Sequence, residues 1–298
     1  MKIAAIIPCY NEEITIKQVI EDMQNYCPKC EIYVFDNNSS DNSYNIAKET
    51  GAIVKKVIYQ GKGEVVRNAF SIIDTDIYIL IDGDGECDAS AIPSLIDYLI
   101  NEDLDMITVI RKAGKYRRGH SFGNKMITTF AKILFGKNCN DILSGYRVFS
   151  KKFVKTFPAN SRGFEIETEL TIFALQMRLP IGEMEAEYKS RPEGSHSKLN
   201  TFKDGFRILW TIIYLLMTEK PLLFFNTISL IFLSIGLFLG IGITIEYFET
   251  LRVDRFPTAI LTICLIILSG LSFSIGLLMN AISKVLSENR RFKYNSIK

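Results

Sequence analysis

The sequence predicts an α/β domain on a mainly parallel sheet, continued by a two-helix membrane hairpin. Three observations lead there. Short apolar runs alternate with helically spaced segments through the first half of the chain. Polar clusters close three of those runs, at what would be one edge of a sheet: Pro8 to Glu13, Asp36 to Asp41, and Asp82 to Glu86. Two later stretches, 221–245 and 256–283, hold no charged residue, and each exceeds the roughly 20 residues a helix needs to span a bilayer.

Residues 2–7 form the first apolar run, read as a strand; it is too short before Pro8, Asn11 and Glu12 to be a signal peptide. Helical spacing follows over 14–26 through Ile14, Val19, Ile20 and Met23. A second strand is expected over 31–35, a helix over 44–48 and a third strand over 52–57. This alternation implies parallel pairing with right-handed crossovers.

Gly61-Lys62-Gly63 precedes a helix through Val65, Val66, Ala69 and Ile73. A lysine between glycines at a helix start suits a phosphate; a turn with a solvated lysine is the other reading. The spacing does not match a Walker-type loop, and Glu64 stands where Ser or Thr would bind Mg²⁺.

Residues 77–81 are apolar, with β-branched and aromatic side chains, as a strand buried on both faces requires. Asp82, Asp84 and Glu86 then alternate with glycines. Carboxylates this close raise one another's pKa unless a cation sits among them, and oxygen ligands suit Mg²⁺ or Mn²⁺. The plain alternative is an acidic loop after a strand.

A helix over 91–100 and a strand over 106–110 come next. The basic stretch Arg111, Lys112, Lys115, Arg117, Arg118 and His120 leads into an apolar helix over 122–135. It suits an anionic headgroup or a phosphate, or is a solvated charge run. Asp141 and Arg147 are placed near one another across a turn at Ser144 and Gly145. Glu165, Glu167 and Glu169 open another helix; not all three can be caps, so one is expected to reach the site. Residues 188–199 read as a cationic loop.

Over 201–217, Phe202, Phe206, Leu209, Trp210, Ile213, Tyr214 and Met217 share one stripe, with Lys203, Asp204 and Arg207 opposite. That pattern fits a helix lying in the membrane interface, or one packed on the domain core. Glu246 to Arg255 is expected to be a short external loop. The tail carries Lys284, Arg290, Arg291, Lys293 and Lys298 against Glu288. The positive-inside rule therefore places the tail and the N-terminal domain in the cytoplasm. The expected divisions are a cytosolic domain 1–200, an interfacial helix 201–220, two spans within 221–286 and a basic tail 287–298. Ser234, Gly236, Gly240, Gly242, Ser269, Gly270, Ser272, Ser274 and Gly276 allow close helix packing and self-association.

The chain has 298 residues and a net charge of +2, which gives no case for a nucleic-acid partner. Cysteines stand at 9, 27, 30, 87, 139 and 264. Cys27 and Cys30 form a lone CxxC, and free thiols are expected in a reducing compartment.

Taken together, these motifs resemble family 2 glycosyltransferases of the GT-A fold (Rossmann-like, with a mixed, mainly parallel sheet), in the polyprenyl-phosphate, dolichol-phosphate mannosyltransferase-like branch. The resemblance covers about the whole chain. It implies that Pro8, Tyr10 and Glu12 line the nucleotide pocket, with Asp36, Asn37, Lys62 and Asp82 also on the nucleotide-sugar. Asp82-Gly83-Asp84 matches the DxD metal motif, and Glu86 falls where many relatives have Gln. Asp141 to Arg147 matches D-x-x-S-G-[FY]-[RK], whose Asp lies near the reacting sugar. Gly194 to Lys198 is similar to a G-x-S-K segment near the acceptor phosphate, with two residues in place of one between Gly and Ser.

The implied reaction is inverting transfer from a nucleotide diphospho-sugar, UDP favoured, to a polyprenyl phosphate. Asp84, Asp141 and Arg147 are the expected catalytic residues. Asp82, Asp84 and Glu86 are the expected metal ligands, and Arg111, Arg117, Arg118 and Lys198 the acceptor-phosphate clamp. Rival readings are direct transfer to a glycan or protein, and a non-catalytic membrane scaffold.

Overall fold

β1 (Ile3–Cys9) and β4 (Ile77–Leu80) lie side by side at the centre of the sheet, and their residues are buried because helices cover both faces. The computed structural model describes residues 1–111, 129, 141–189, 191–192 and 201–297. The expected helix over 122–135, apart from residue 129, and Arg117, Arg118 and Lys198 fall outside the described residues.

Among those residues the sheet has seven strands in the order β3-β2-β1-β4-β6-β5-β7. The others are β2 (Cys30–Asp36), β3 (Ile53–Lys56), β5 (Met106–Arg111), β6 (Arg147–Ser150) and β7 (Ile181–Ala186). Pairing is parallel except for β6, which runs antiparallel to β4 and β5. The order reverses at β1: the chain adds β2 and β3 on one side, then crosses back to place β4 on the other. That switch point opens a crevice at the carboxyl ends of β1 and β4. Register brings Cys9 opposite Asp36 there.

Alternation along β1 divides the core. Ala5, Ile7 and Cys9 face α1 (Ile16–Tyr26), α2 (Ser43–Glu49) and α4 (Ile92–Asn101); Ile92 follows a short 3-10 turn. Ala4 and Ile6 face α3 (Lys62–Ile72), α5 (Lys151–Thr156) and α6 (Ile166–Met177). On this second face Phe70, Phe149, Phe153, Phe157 and Phe173 meet edge-to-face or stacked, with centroids 5.0–6.2 Å apart. Truncating one such ring to Ala costs about 3–5 kcal/mol.

Helix α1 begins two residues later than its spacing suggests. Glu12 O accepts from Thr15 N and Ile16 N, and Thr15 Oγ1 donates to Gly83 O at 2.7 Å. The turn is thus held by the acidic loop. Cys27 and Cys30 are joined in a disulfide, against the expectation of free thiols. Cys30 N donates to Cys27 O, and this tight turn after α1 brings the two sulfurs together.

The chain divides into two units, Met1–Ile212 with Arg291–Lys298, and Ile213–Arg290. Helix α7 (Thr201–Glu219) is longer than its expected stripe. Phe206, Trp210 and Tyr214 are exposed on it, whereas Ile208 and Ile212 are buried. It carries two apolar faces where one was expected. The side chains of Phe202, Lys203, Asp204 and Arg207 fall outside the described residues.

In the second unit α8 (Pro221–Thr250) packs on α9 (Phe256–Ser296). Both are long and apolar enough to cross a membrane. Ser269 Oγ donates to Ser229 O at 2.9 Å, and Gly276 faces Phe225 so closely that a Cβ would come within 2.9 Å of it. These small residues serve packing within the hairpin; nothing lies within 4 Å of a Cβ built on Gly242 or Gly270. Residues 246–250 are helical, since α8 continues past Ile245. α9 runs unbroken to Ser296, and Tyr294 Oη donates to Asp105 Oδ2 at 2.6 Å within the first unit.

Candidate active site

The acidic loop sits on the switch point. Gly83 lies so near the end of β1 that a Cβ would stand 3.1 Å from Pro8 O. Gly85 has φ +74°, a left-handed conformation that favours glycine. Glu86 N donates to Asp84 Oδ1 at 3.1 Å and closes the turn.

Lys62, the first residue of α3, points into the protein. Its Nζ lies 2.5 Å from Asp82 Oδ1 and 2.6 Å from Glu167 Oε1. The flanking glycines allow a close backbone approach. A Cβ on Gly61 would overlap Arg162 O, and one on Gly63 would overlap Ser161 O. Burial works against the Lys62 ammonium, but Asp82 and then Glu167 outweigh it and hold its pKa above the ordinary lysine value.

Glu167 is the member of the acidic helix start that reaches the site. Glu165 accepts from Arg162 N and Gly163 N, and Glu169 from Asn160 N and Ser161 N. Those two fix the 160–163 turn against which α3 begins. Burial pushes the Glu167 carboxyl up to about 7, with Lys62 opposing. Gly145 closes over the three charges: a Cβ there would overlap Asp82 Oδ2 and Lys62 Nζ.

A second ionic group occupies the other side of the loop. Arg191 donates from Nη2 to Asp84 Oδ2 at 2.5 Å and from Nε to Glu86 Oε1 at 2.6 Å. Arg111 donates to Glu86 Oε2 at 2.8 Å and lies over the Tyr188 ring. Burial and then the Asp82 charge push Asp84 up to about 6, with Arg191 opposing. Sequence reasoning left Arg191 unassigned within a cationic loop; its partners lie 105 and 107 residues away.

On the β1–β2 side, Glu12 is buried and its N–H donates to Ser43 Oγ at 2.7 Å. Pro8 is half-buried and Tyr10 exposed. Asp36 is 2% exposed and its Oδ1 has no hydrogen-bond partner among the described residues. Asn37 is engaged internally. Its Nδ2 donates to Tyr59 O at 2.7 Å and its Oδ1 accepts from Gly61 N at 2.7 Å. It staples the β3–α3 loop.

The 141–147 segment is held from within. Arg147 is fully buried; Nε donates to Ser144 O at 2.8 Å and Nη2 to Ile142 O at 3.0 Å. Ser144 Oγ donates to Val109 O at 2.6 Å. Asp141 is buried and accepts from Leu143 N at 3.0 Å. The Arg147 fork thus grips the loop whose Gly145 lies against Asp82.

Asp82, Asp84 and Glu86 do not gather round one point. Asp82 turns to Lys62, while Asp84 and Glu86 turn to Arg191. No group of three or more His, Cys, Asp or Glu suited to a metal ion exists among the described residues. The donor set nevertheless fits a divalent cation. All three ligands are hard oxygens, and Asp84 and Glu86 already converge on one positive group.

Comparison with known proteins gives the family and the fold. The model of the family described as Glycosyl transferase family 2 matches residues 4–157. Glycosyltransferase AglJ of Haloferax volcanii is 29% identical over 282 residues, 93% of this chain and 90% of that protein. The UDP-N-acetylglucosamine–dolichyl-phosphate N-acetylglucosaminyltransferase of Methanococcus voltae is 28% identical over 241 residues, 71% of this chain and 95% of that one. Among solved structures, glucosyl-3-phosphoglycerate synthase from Mycobacterium tuberculosis, in complex with Mn²⁺, uridine-diphosphate and phosphoglyceric acid, aligns with a TM-score of 0.60 at 22% identity, covering 72% of this chain and 77% of that one. The shared feature is the fold, a GT-A-like mixed sheet as the sequence predicts.

Proposed function

The chain belongs to glycosyl transferase family 2, and on that premise we propose that it moves a sugar from a nucleotide diphospho-sugar, UDP-linked in preference to GDP-linked, to a polyprenyl phosphate. The observation that carries the reading is the pairing of a cation-lined acidic loop at the sheet's switch point with two apolar helices of membrane-spanning length. The name of the Methanococcus voltae relative, a UDP-N-acetylglucosamine–dolichyl-phosphate N-acetylglucosaminyltransferase, supports both the UDP donor and the lipid-phosphate acceptor.

In the proposed reaction an acceptor phosphate oxygen attacks the anomeric carbon. Its bond to carbon forms as the carbon–oxygen bond to the donor diphosphate breaks, and the electron pair leaves with the nucleoside diphosphate. The acceptor's second ionisation lies near pKa ~6, so no strong base is needed at neutral pH. The protein's task is electrostatic, because negative charge builds on the departing diphosphate. Asp84 and Glu86, with Asp82 beside them, would hold Mg²⁺ or Mn²⁺, which when bound supplies positive charge to that diphosphate. Lys62 fixes Asp82, Arg111 adds a further cation, and Arg191 would yield Asp84 and Glu86 to the ion. Asp36 offers one free carboxylate oxygen to the donor. Asp141 orients the sugar or acceptor.

The hairpin anchors the domain at a bilayer, and exposed Phe206, Trp210 and Tyr214 suit its surface. The basic tail supports a cytoplasmic side for both termini and the catalytic domain. Small residues not used in the hairpin, Gly242 and Gly270, leave a face for self-association.

The test is extraction of labelled lipid. Purified chain is incubated with undecaprenyl phosphate, Mg²⁺ or Mn²⁺, and a panel of labelled UDP- and GDP-sugars. Metal-dependent label in the organic phase is the expected result. Donor binding with no lipid-linked label would point to a glycan or protein acceptor.

A further inference from the structure

Lys62 serves two carboxylates with one positive charge, and the two are unequally placed. The Asp82 side chain is 30% exposed and that of Glu167 is 7% exposed. Lys62 itself is 6% exposed, so solvent does little to screen the group. At pH 8, with both carboxyls ionised, counting +1 for Lys62 and −1 for each carboxylate leaves one surplus negative charge. Glu167 is enclosed by the protein; Asp82 opens toward the crevice, next to Asp84 and Glu86. The fold commits to this arrangement from four directions. α3 supplies Lys62, the end of β4 supplies Asp82 and α6 supplies Glu167, while Gly145 leaves no room above them.

We propose that Glu167 is a positioning residue for the donor site: by holding Lys62 to itself, it keeps the ammonium from fully neutralising Asp82, so Asp82 retains charge for a divalent cation. Without Glu167 the ammonium would lean on Asp82 alone, as a closed one-to-one pair, and the acidic loop would lose its surplus charge. This rests on the reading of Asp82, Asp84 and Glu86 as the cation-holding group. It adds a residue 85 positions from Asp82 to the determinants of cation affinity.

Two substitutions separate charge from shape. Glu167→Gln keeps the shape and removes the charge; Glu167→Asp keeps the charge and shortens the side chain. Mn²⁺ binding to the purified full-length chain is read by electron paramagnetic resonance of the free ion, with and without UDP, at pH 8 and well below each variant's Tm. The expected result is a Kd about tenfold weaker for Glu167→Gln, the order given by losing one nearby charge at a partly solvated site, and within about threefold of wild type for Glu167→Asp. If Glu167 only packs the core, the order reverses: Asp loses more than Gln, or both bind Mn²⁺ as wild type does while Tm falls. Either outcome overturns the inference. A wild type that binds no Mn²⁺ even with UDP overturns the cation-holding reading itself, and this inference with it.

Discussion

Arg191 Nη2 stands 2.5 Å from Asp84 Oδ2, and the same guanidinium reaches Glu86 through Nε. An arginine thus holds the two carboxylates that the proposed reaction assigns to a divalent ion. Two cations cannot share that position, so the ion competes with Arg191. Arg191→Gln is expected to tighten Mn²⁺ binding in the absence of nucleotide, by about fivefold or more, since a charge-assisted contact at each carboxylate is removed. Titration of the variant with Mn²⁺ checks this; weaker binding would mean that Arg191 organises the ligands and does not oppose the ion.

Lys62 is buried between two acids, and removing it leaves both without their cation. Breaking a buried pair in this way costs about 3–5 kcal/mol. Lys62→Met should therefore lower Tm markedly, whereas a lysine directed at solvent or at a donor phosphate would leave Tm of the ligand-free protein unchanged. Differential scanning fluorimetry distinguishes the two.

Asn37 joins β2 to the loop before α3 through both ends of its amide. Asn37→Ala removes two hydrogen bonds and leaves Tyr59 O and Gly61 N without that partner. A loss of about 1–3 kcal/mol in stability is expected, with the ranking of UDP- over GDP-sugars unchanged. A reversal of donor ranking would show that Asn37 reads the base.

Gly145 has no room for a side chain above Lys62 and Asp82. Gly145→Ala should reduce transfer at least tenfold by displacing Asp82, with a weaker Mn²⁺ affinity measured alongside. Full activity in this variant would contradict the close approach of the 141–147 segment.

Burial raises the Glu167 carboxyl to about 7 in the folded chain, from 4.5. The folded state therefore holds this proton more tightly than the unfolded state. The stabilisation is full below pH ~4.5 and is lost as pH rises through ~7. Relative to Glu167→Gln, which does not titrate, wild type should lose at most about 3 kcal/mol across that window. Denaturant unfolding of both proteins at pH 5 and pH 8 checks the sign. A wild type that gains stability relative to Glu167→Gln between pH 5 and pH 8 would contradict it.

The sheet was legible in the sequence because β1 and β4 are short, apolar and bounded by polar turns, and the hairpin because two charge-free runs have few other uses. The acidic loop was legible for the same local reason. What escaped lies in contacts between distant segments. Gly61-Lys62-Gly63 reads as a phosphate loop, yet its glycines admit the 161–162 backbone and its lysine meets Glu167, 105 residues on. The three acids of α6 show that one must do other work, but not that Glu167 turns to Lys62. Asn37 carries no local sign that its amide is engaged 22 and 24 residues away. Arg147 is legible only as the last residue of the D-x-x-S-G-[FY]-[RK] match; the folded loop reveals the two carbonyls it holds.

The measurement that bears most directly on the central claim compares wild type with Asp84→Asn in the lipid extraction assay, using UDP-N-acetylglucosamine, UDP-glucose and GDP-mannose as labelled donors. The account expects label in the organic phase with wild type and a UDP-sugar, abolished by chelator and reduced at least about a hundredfold in Asp84→Asn. Equal transfer by the two proteins, or none by wild type with any of these donors, would contradict it.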